Sequence, residues 1–233
     1  MHKEAIYDDE FGEIQLRYDI RAVRYTFHAK SGRLHATLPF GVSEKELRPI
    51  LEKKREALRR LLVRVSGNTL SVGNIIETRC FNINIETYRG EKILYTMRDG
   101  CLIVLLPHDA DIGEPLLSEK IKRGIMRFVK QSAATYLKAR LDAAAARLRL
   151  KYNTFAVASG RRILGRCDSR RNIKLSCYLL FYPEELIDYV IYHELAHLTV
   201  MNHGAAFHEL CNKYCSGREN ELRKRLRHFP LPL

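Results

Sequence analysis

The run His193-Glu194-Leu195-Ala196-His197 constrains this chain more than any other feature. It lies in a stretch, Pro183 to Leu198, that reads as a largely buried helix opened by Pro183. Ile187, Val190, Ile191, Leu195 and Leu198 are its apolar positions. Residues four apart on a helix share a face, so both imidazoles can reach one metal ion at the roughly 2.0–2.1 Å of a Zn–N bond. Histidines on so apolar a helix need partners, which argues against two ordinary surface side chains. Glu194 is too close to His193 in sequence to be an easy third ligand. It is well placed to act as general base on a water activated by the metal.

A catalytic zinc needs a third protein ligand and an open fourth position. His203 supplies one in Met201-Asn202-His203-Gly204, where the helix breaks. The spacing equals that of the extended HExxHxxGxxH pattern, but Val200 stands at its glycine, so the turn must differ. Gly204 is expected to ease that turn with a positive φ. His208 competes for the third position. His203 is preferred because a helix over Ala205–Tyr214 would keep His208 on its own body.

The rest of the chain predicts an α+β protein. A β-rich part with one helix (1–110) precedes a zincin-like part with the metal helix (111–233). Alternation over Gln15–Tyr25 predicts strands, with a hairpin pairing Val23–Lys30 and Arg33–Leu38 around Ser31-Gly32. Ser43 with Glu46 reads as a capping box. It opens a helix to about Val65 with Leu47, Ile50, Leu51, Leu58, Leu61 and Leu62 as its stripe. Ser66-Gly67-Asn68 ends that helix. Phe81–Tyr88 alternates, and Ile93–Thr96 and Cys101–Leu106 flank a turn at Arg98-Asp99-Gly100. A helix follows from Leu116 to about Leu150, then a strand within Lys151–Ser159 and another in which Ile173, Leu175 and Cys177 alternate. A basic helix ends at about Arg227. No internal repeat is visible.

Four segments together resemble one known family. They are Leu164-Gly165-Arg166-Cys167-Asp168-Ser169, Asn172-Ile173-Lys174-Leu175, Pro183 to Leu198, and Asn202-His203-Gly204-Ala205-Ala206-Phe207. With Leu38-Pro39-Phe40-Gly41-Val42-Ser43, the chain is similar over most of its length to the YgjP-like metallopeptidases, relatives of the SprT-type zinc proteases. The resemblance implies a zincin-type peptidase domain acting on peptides or proteins. Its zinc ligands would be His193, His197 and His203, and its base Glu194. Leu164 stands where the family usually has Trp, Arg166 where it has Ser, and His208 where an aromatic follows Phe207.

Forty Lys and Arg against 27 Asp and Glu leave a net charge of +13, which draws a chain towards polyanions. A second reading is therefore a nucleic-acid-associated protein with a structural metal, in which Cys167 or His208 fills the fourth position. A third is a protease recruited to DNA through Lys53–Arg64 and Arg218–Arg227. No nucleic-acid motif accompanies those faces. Cys167 reads as a packed residue near the site. Cys211 and Cys215 read as core residues, with a second metal site as the alternative. Asp188 reads as a helix-start residue, with orientation of a ligand imidazole as the alternative. The six scattered cysteines suggest no disulfide framework. The lack of a signal-like start or a bilayer-length apolar run predicts a cytoplasmic protein that does not engage membranes.

Overall fold

The computed structural model describes residues 4–30, 33–66 and 70–233, so the turn expected at Ser31-Gly32 and the Gly67-Asn68 part of the expected helix end lie outside the described residues. The fold is α+β, and its contacts divide it into two compact units, Met1–Leu70 with Pro232–Leu233 and Ser71–Leu231.

The first unit contains β1 (Glu4–Asp8), β2 (Gly12–Asp19), β3 (Thr26–Lys30), β4 (Arg33–Pro39) and α1 (Glu44–Ser66). The sheet order is β1-β2-β4-β3, with β2 and β4 parallel and the other pairs antiparallel. β2 stops at Asp19 instead of running to Tyr25. The Asp19 carbonyl accepts the Ala22 N–H (3.1 Å) and its carboxylate the Arg21 N–H (2.9 Å), which turns the chain. Ser43 opens α1 with half a capping box: its N–H and hydroxyl both donate to Glu46 Oε2, at 2.8 and 3.0 Å. Leu47, Leu51 and Leu58 of α1 join Ile14, Leu16, Leu34, Ala36 and Leu38 in one core. Full burial of each leucine is worth about 1.5–3 kcal/mol.

The second unit begins with β5 (Ile75–Glu77), β6 (Asn82–Tyr88), β7 (Leu94–Arg98), β8 (Cys101–Pro107) and α2 (Pro115–Arg147). This corrects the expectation of no repeat. The order β5-β6-β8-β7, with one parallel pair, β6 and β8, reproduces the first sheet, and a helix again follows. Lys30 pairs with Arg33 as Arg98 pairs with Cys101. Buried Ile14, Leu16, Leu34, Ala36 and Leu38 are matched by buried Ile83, Ile85, Leu102, Val104 and Leu106. The repeat escapes the sequence because only the inward positions, one residue in two, are held to a common chemistry. The β7–β8 turn is as expected: Asp99 (φ 49°) and Gly100 (φ 72°) give the two positive φ values of a type I′ turn.

The unit continues with β9 (Phe155–Ala158), β10 (Gly165–Cys167), β11 (Ile173–Ser176), a 3-10 turn (Cys177–Phe181), α3 (Glu184–Ala196), α4 (Ala205–Tyr214) and α5 (Glu219–His228). β11 lies between β10, antiparallel, and β9, parallel. Cys177 does not extend the strand. Ser176 Oγ accepts the Tyr178 N–H (3.2 Å) and caps the 3-10 turn that Cys177 begins. On α2, Ile121, Ile125, Val129, Ala133, Leu137 and Leu141 form a stripe repeating every fourth residue, fully buried. α2 packs on β9, the 3-10 turn and α3, and α3 packs in turn on β10, α4 and α5. No helix among the described residues is long and apolar enough to cross a membrane.

Candidate metal centre

His193 and Glu194 lie in the last turn of α3, and His197 caps its C-terminus in a still helical conformation. The Val200 N–H returns to the Ala196 carbonyl (2.9 Å), and the Gly204 N–H donates to Asn202 O (2.8 Å), which folds His203 back towards α3. Gly204 does not take the expected positive φ. At φ −84° and ψ −172° it is the extended N-cap of α4, a conformation open to any residue, and the reversal is made before it.

The structure brings the three imidazoles together. His203 Nε2 lies 3.0 Å from His193 Nε2 and 3.1 Å from His197 Nε2. Zn–N bonds of about 2.05 Å in a tetrahedron set the nitrogens about 3.3 Å apart, so the three suit one ion. His197 Nδ1 lies 3.2 Å from the Val200 carbonyl. A carbonyl can only accept, so Nδ1 carries the proton and Nε2 keeps its lone pair for a metal. Burial, and then the imidazoles of His197 and His203, pull the His193 pKa down to about 4. Burial also holds His197 below its ordinary value. Both rings are therefore neutral at pH 7, the form that binds metal. Among the described residues these three form a group of ligating side chains close enough to share an ion.

Phe207 builds the floor under them. It is fully buried, and its ring centroid lies 4.8, 4.5 and 4.7 Å from those of His193, His197 and His203. Glu194 is 4% exposed. Burial pushes its pKa up to about 8, against the Cys167 backbone N–H, which donates to it and lowers it. That donor comes from the outer edge of β10. The Ser176 N–H donates to Leu164 O and the Asp168 N–H to Asn172 O, so residues 164, 166 and 168 face β11. By alternation, Gly165 and Cys167 aim their backbone groups outward, beside Glu194. A Cβ on Gly165 would fall 2.8 Å from Glu194 Cγ and Cδ, so the carboxylate occupies the space a side chain would need.

The other candidates lie elsewhere. His208 Nδ1 lies 2.8 Å from Glu219 Oε1 on α5, outside the cluster. The Cys167 thiol points to the Asp168 carbonyl (3.7 Å), and burial followed by Glu194 pushes its pKa up to about 11. Cys211 and Cys215 are buried, and among the described residues they join no ligating group. Asp188 sits past the first turn of α3 and starts nothing: Arg140 of α2 grips it through bonds of 2.8, 2.8 and 3.0 Å, tying α3 to α2. Gly165 and Arg140 carry no local pattern that singles them out. A glycine inside a strand is the one sequence signal of close backbone approach, and it points at Gly165 only weakly.

The model of a family described as YgjP-like, metallopeptidase domain, matches residues 23–229. Among curated proteins no relative matches the chain. The crystal structure of the metallopeptidase zymogen of Methanocaldococcus jannaschii jannalysin is 22% identical. The alignment covers 39% of this chain and 93% of that one, with a TM-score of 0.35.

Proposed function

The chain belongs to the YgjP-like metallopeptidase family, and from that membership we propose a zinc-dependent peptidase whose general base is Glu194. Family membership makes it a metal-dependent hydrolase of peptide or protein substrates. His193, His197 and His203 would hold the ion, and a set of three imidazole donors suits zinc. Zinc bound there supplies Lewis acidity to water and to the scissile carbonyl.

The remaining chemistry falls to the chain itself. The outward N–H and C=O of Gly165 and the outward C=O of Cys167 take the substrate backbone as an added strand along β10, while the Cys167 N–H stays with Glu194. This lays the scissile bond beside Glu194. Glu194 beside a bound cation would have its pKa drawn down and be left ionised, so that the carboxylate can take a proton from the attacking water, and its burial then favours holding that proton. It then delivers that proton to the departing amine nitrogen.

The observation that carries this reading is the meeting of three Nε2 atoms, with buried Glu194 following directly on His193 in α3. The ion pairs of the basic helices also favour it over recruitment by nucleic acid. Arg55 pairs with Asp8, Glu10 and Glu52, and Arg59 with Glu10 and Glu56. Arg218 and Arg225 both pair with Glu185 and Glu221. Metal analysis with a peptidase assay tests the proposal. Wild type should bind one equivalent of zinc, His203→Ala far less, and Glu194→Gln one equivalent with cleavage reduced at least a hundredfold. Full cleavage by zinc-loaded Glu194→Gln would exclude that base.

A further inference from the structure

From the outer edge of β10 we infer that this site selects acidic peptides: extended segments with Asp or Glu at the position facing Arg166. The inference rests on the peptidase reading above and adds a substrate class to it.

Side chains of a strand alternate between the faces of its sheet. Gly165 faces Glu194, so Arg166 projects from the opposite face, where it is exposed. Its cross-strand neighbour there is Lys174, also exposed. Arg162 precedes β10, and Arg170 and Arg171 form the turn after it, all three exposed. Among the described residues none of these five cations has an ion-pair partner, in contrast to Arg55, Arg59, Arg218 and Arg225. The acidic group within this segment, Asp168, stays ionised and offsets the charge of Arg170 in the turn, away from Arg166. Its carboxylate accepts the N–H groups of Arg170 and Asn172 and the Asn172 side-chain amide. The edge strand beside the general base is thus framed by a net excess of positive charge, with Arg166 and Lys174 in no ion pair among the described residues.

Backbone geometry makes Arg166 the discriminating residue. Its own N–H and C=O are turned towards β11, so a strand added outside β10 meets Arg166 at a non-hydrogen-bonded position. Opposed side chains approach each other most closely at such positions. Opposite charges facing each other across a strand pair attract and like charges repel. An extended peptide with Asp or Glu opposite Arg166 therefore gains, and one with Lys or Arg there loses, while Lys174 reinforces both effects from one strand further away. An extended backbone read by an edge strand favours a peptide over a polyphosphate chain as the anion.

The test uses the full chain loaded with zinc. Fluorescein-labelled peptides carry Glu, Ala or Lys at one scanned position of a neutral host. Binding is read by anisotropy on Glu194→Gln, which leaves the peptide intact, and cleavage as kcat/KM on wild type. One position should favour Glu over Lys by about tenfold in both readouts, with Ala between them and with the ratio shrinking as salt is raised. Arg166→Glu should invert the order at that position, and Lys174→Glu should weaken it. Equal binding and cleavage of all three peptides overturns the inference and leaves the peptidase intact. A Glu preference that survives Arg166→Glu also overturns it. So does displacement of the label by an oligothymidylate but not by an acidic peptide, which would make the rim a phosphate site. Failure to bind or cleave any peptide sinks the peptidase reading and this inference together.

Discussion

Gly165→Ala is the sharpest probe of the site, because it adds one methyl group where the fold has reserved room for a carboxylate. The new Cβ would lie 2.8 Å from both Cγ and Cδ of Glu194. Ordinary carbon contacts are about 3.5–4.0 Å, so the carboxyl must retreat by about 0.7–1.2 Å. Glu194 is the flexible partner, so the fold yields at the side chain. Overpacking of this kind costs about 1–3 kcal/mol, and the melting temperature should drop by a few degrees for a chain of this size. A misplacement of about 1 Å in a reacting group costs about a hundredfold in rate. The Cβ points at α3 and away from the outer edge of β10, so the loss belongs in kcat while KM holds. The zinc content should stay at one equivalent, since no imidazole is displaced. Steady-state kinetics on a quenched peptide with metal analysis reads all three quantities. Gly160→Ala, whose Cβ would meet only the Ile163 carbonyl at 3.7 Å, is the control with unchanged kcat. A Gly165→Ala enzyme with wild-type kcat would refute the close approach of Glu194 and Gly165. Loss of zinc would show that the glycine guards the imidazoles instead.

In the metal-free protein, Glu194 keeps its proton to about pH 8 when folded but sheds it near 4.5 when unfolded. The folded state therefore binds more protons between those values, and this group's contribution is lost as pH rises through the folded pKa. From pH 6.5 to 8 stability should fall by about 1 kcal/mol, because the Glu194 loss outweighs the smaller gain as His193 and His197, neutral when folded, give up their protons in the unfolded chain. Urea denaturation of metal-free wild type should show the slope and Glu194→Gln should lack it. The same slope in both would discard the buried carboxyl as its source. Asp188→Ala should lower stability by about 1–2 kcal/mol, since it removes the forked ion pair and leaves the partly buried Arg140 guanidinium only Glu184 and the Tyr136 hydroxyl. It should also weaken zinc binding measured by competition with a chelator, because α3 then loses a tie to α2. Unchanged zinc affinity would confine that ion pair to a stabilising role.

What the sequence determined by itself was local. Two histidines one helical turn apart must share a face, and the break after Leu198 lets His203 return. The stripe of α2, the Asp99-Gly100 turn and the Pro183 helix start also follow from a few consecutive residues, because periodicity and turn chemistry act over short spans of chain. What only the tertiary structure decided was which distant side chains share a space. Gly165 gives way to Glu194 and Arg140 grips Asp188 across long stretches of chain, and Phe207 lies under three imidazoles from either side of a chain reversal. The same holds for charge. Composition counts arginines but cannot say that Arg55 and Arg218 are paired while Arg166, beside the base, is in no ion pair among the described residues. The doubled four-stranded topology was hidden for a related reason: pairing order is set by burial of alternate residues, which many sequences satisfy equally well.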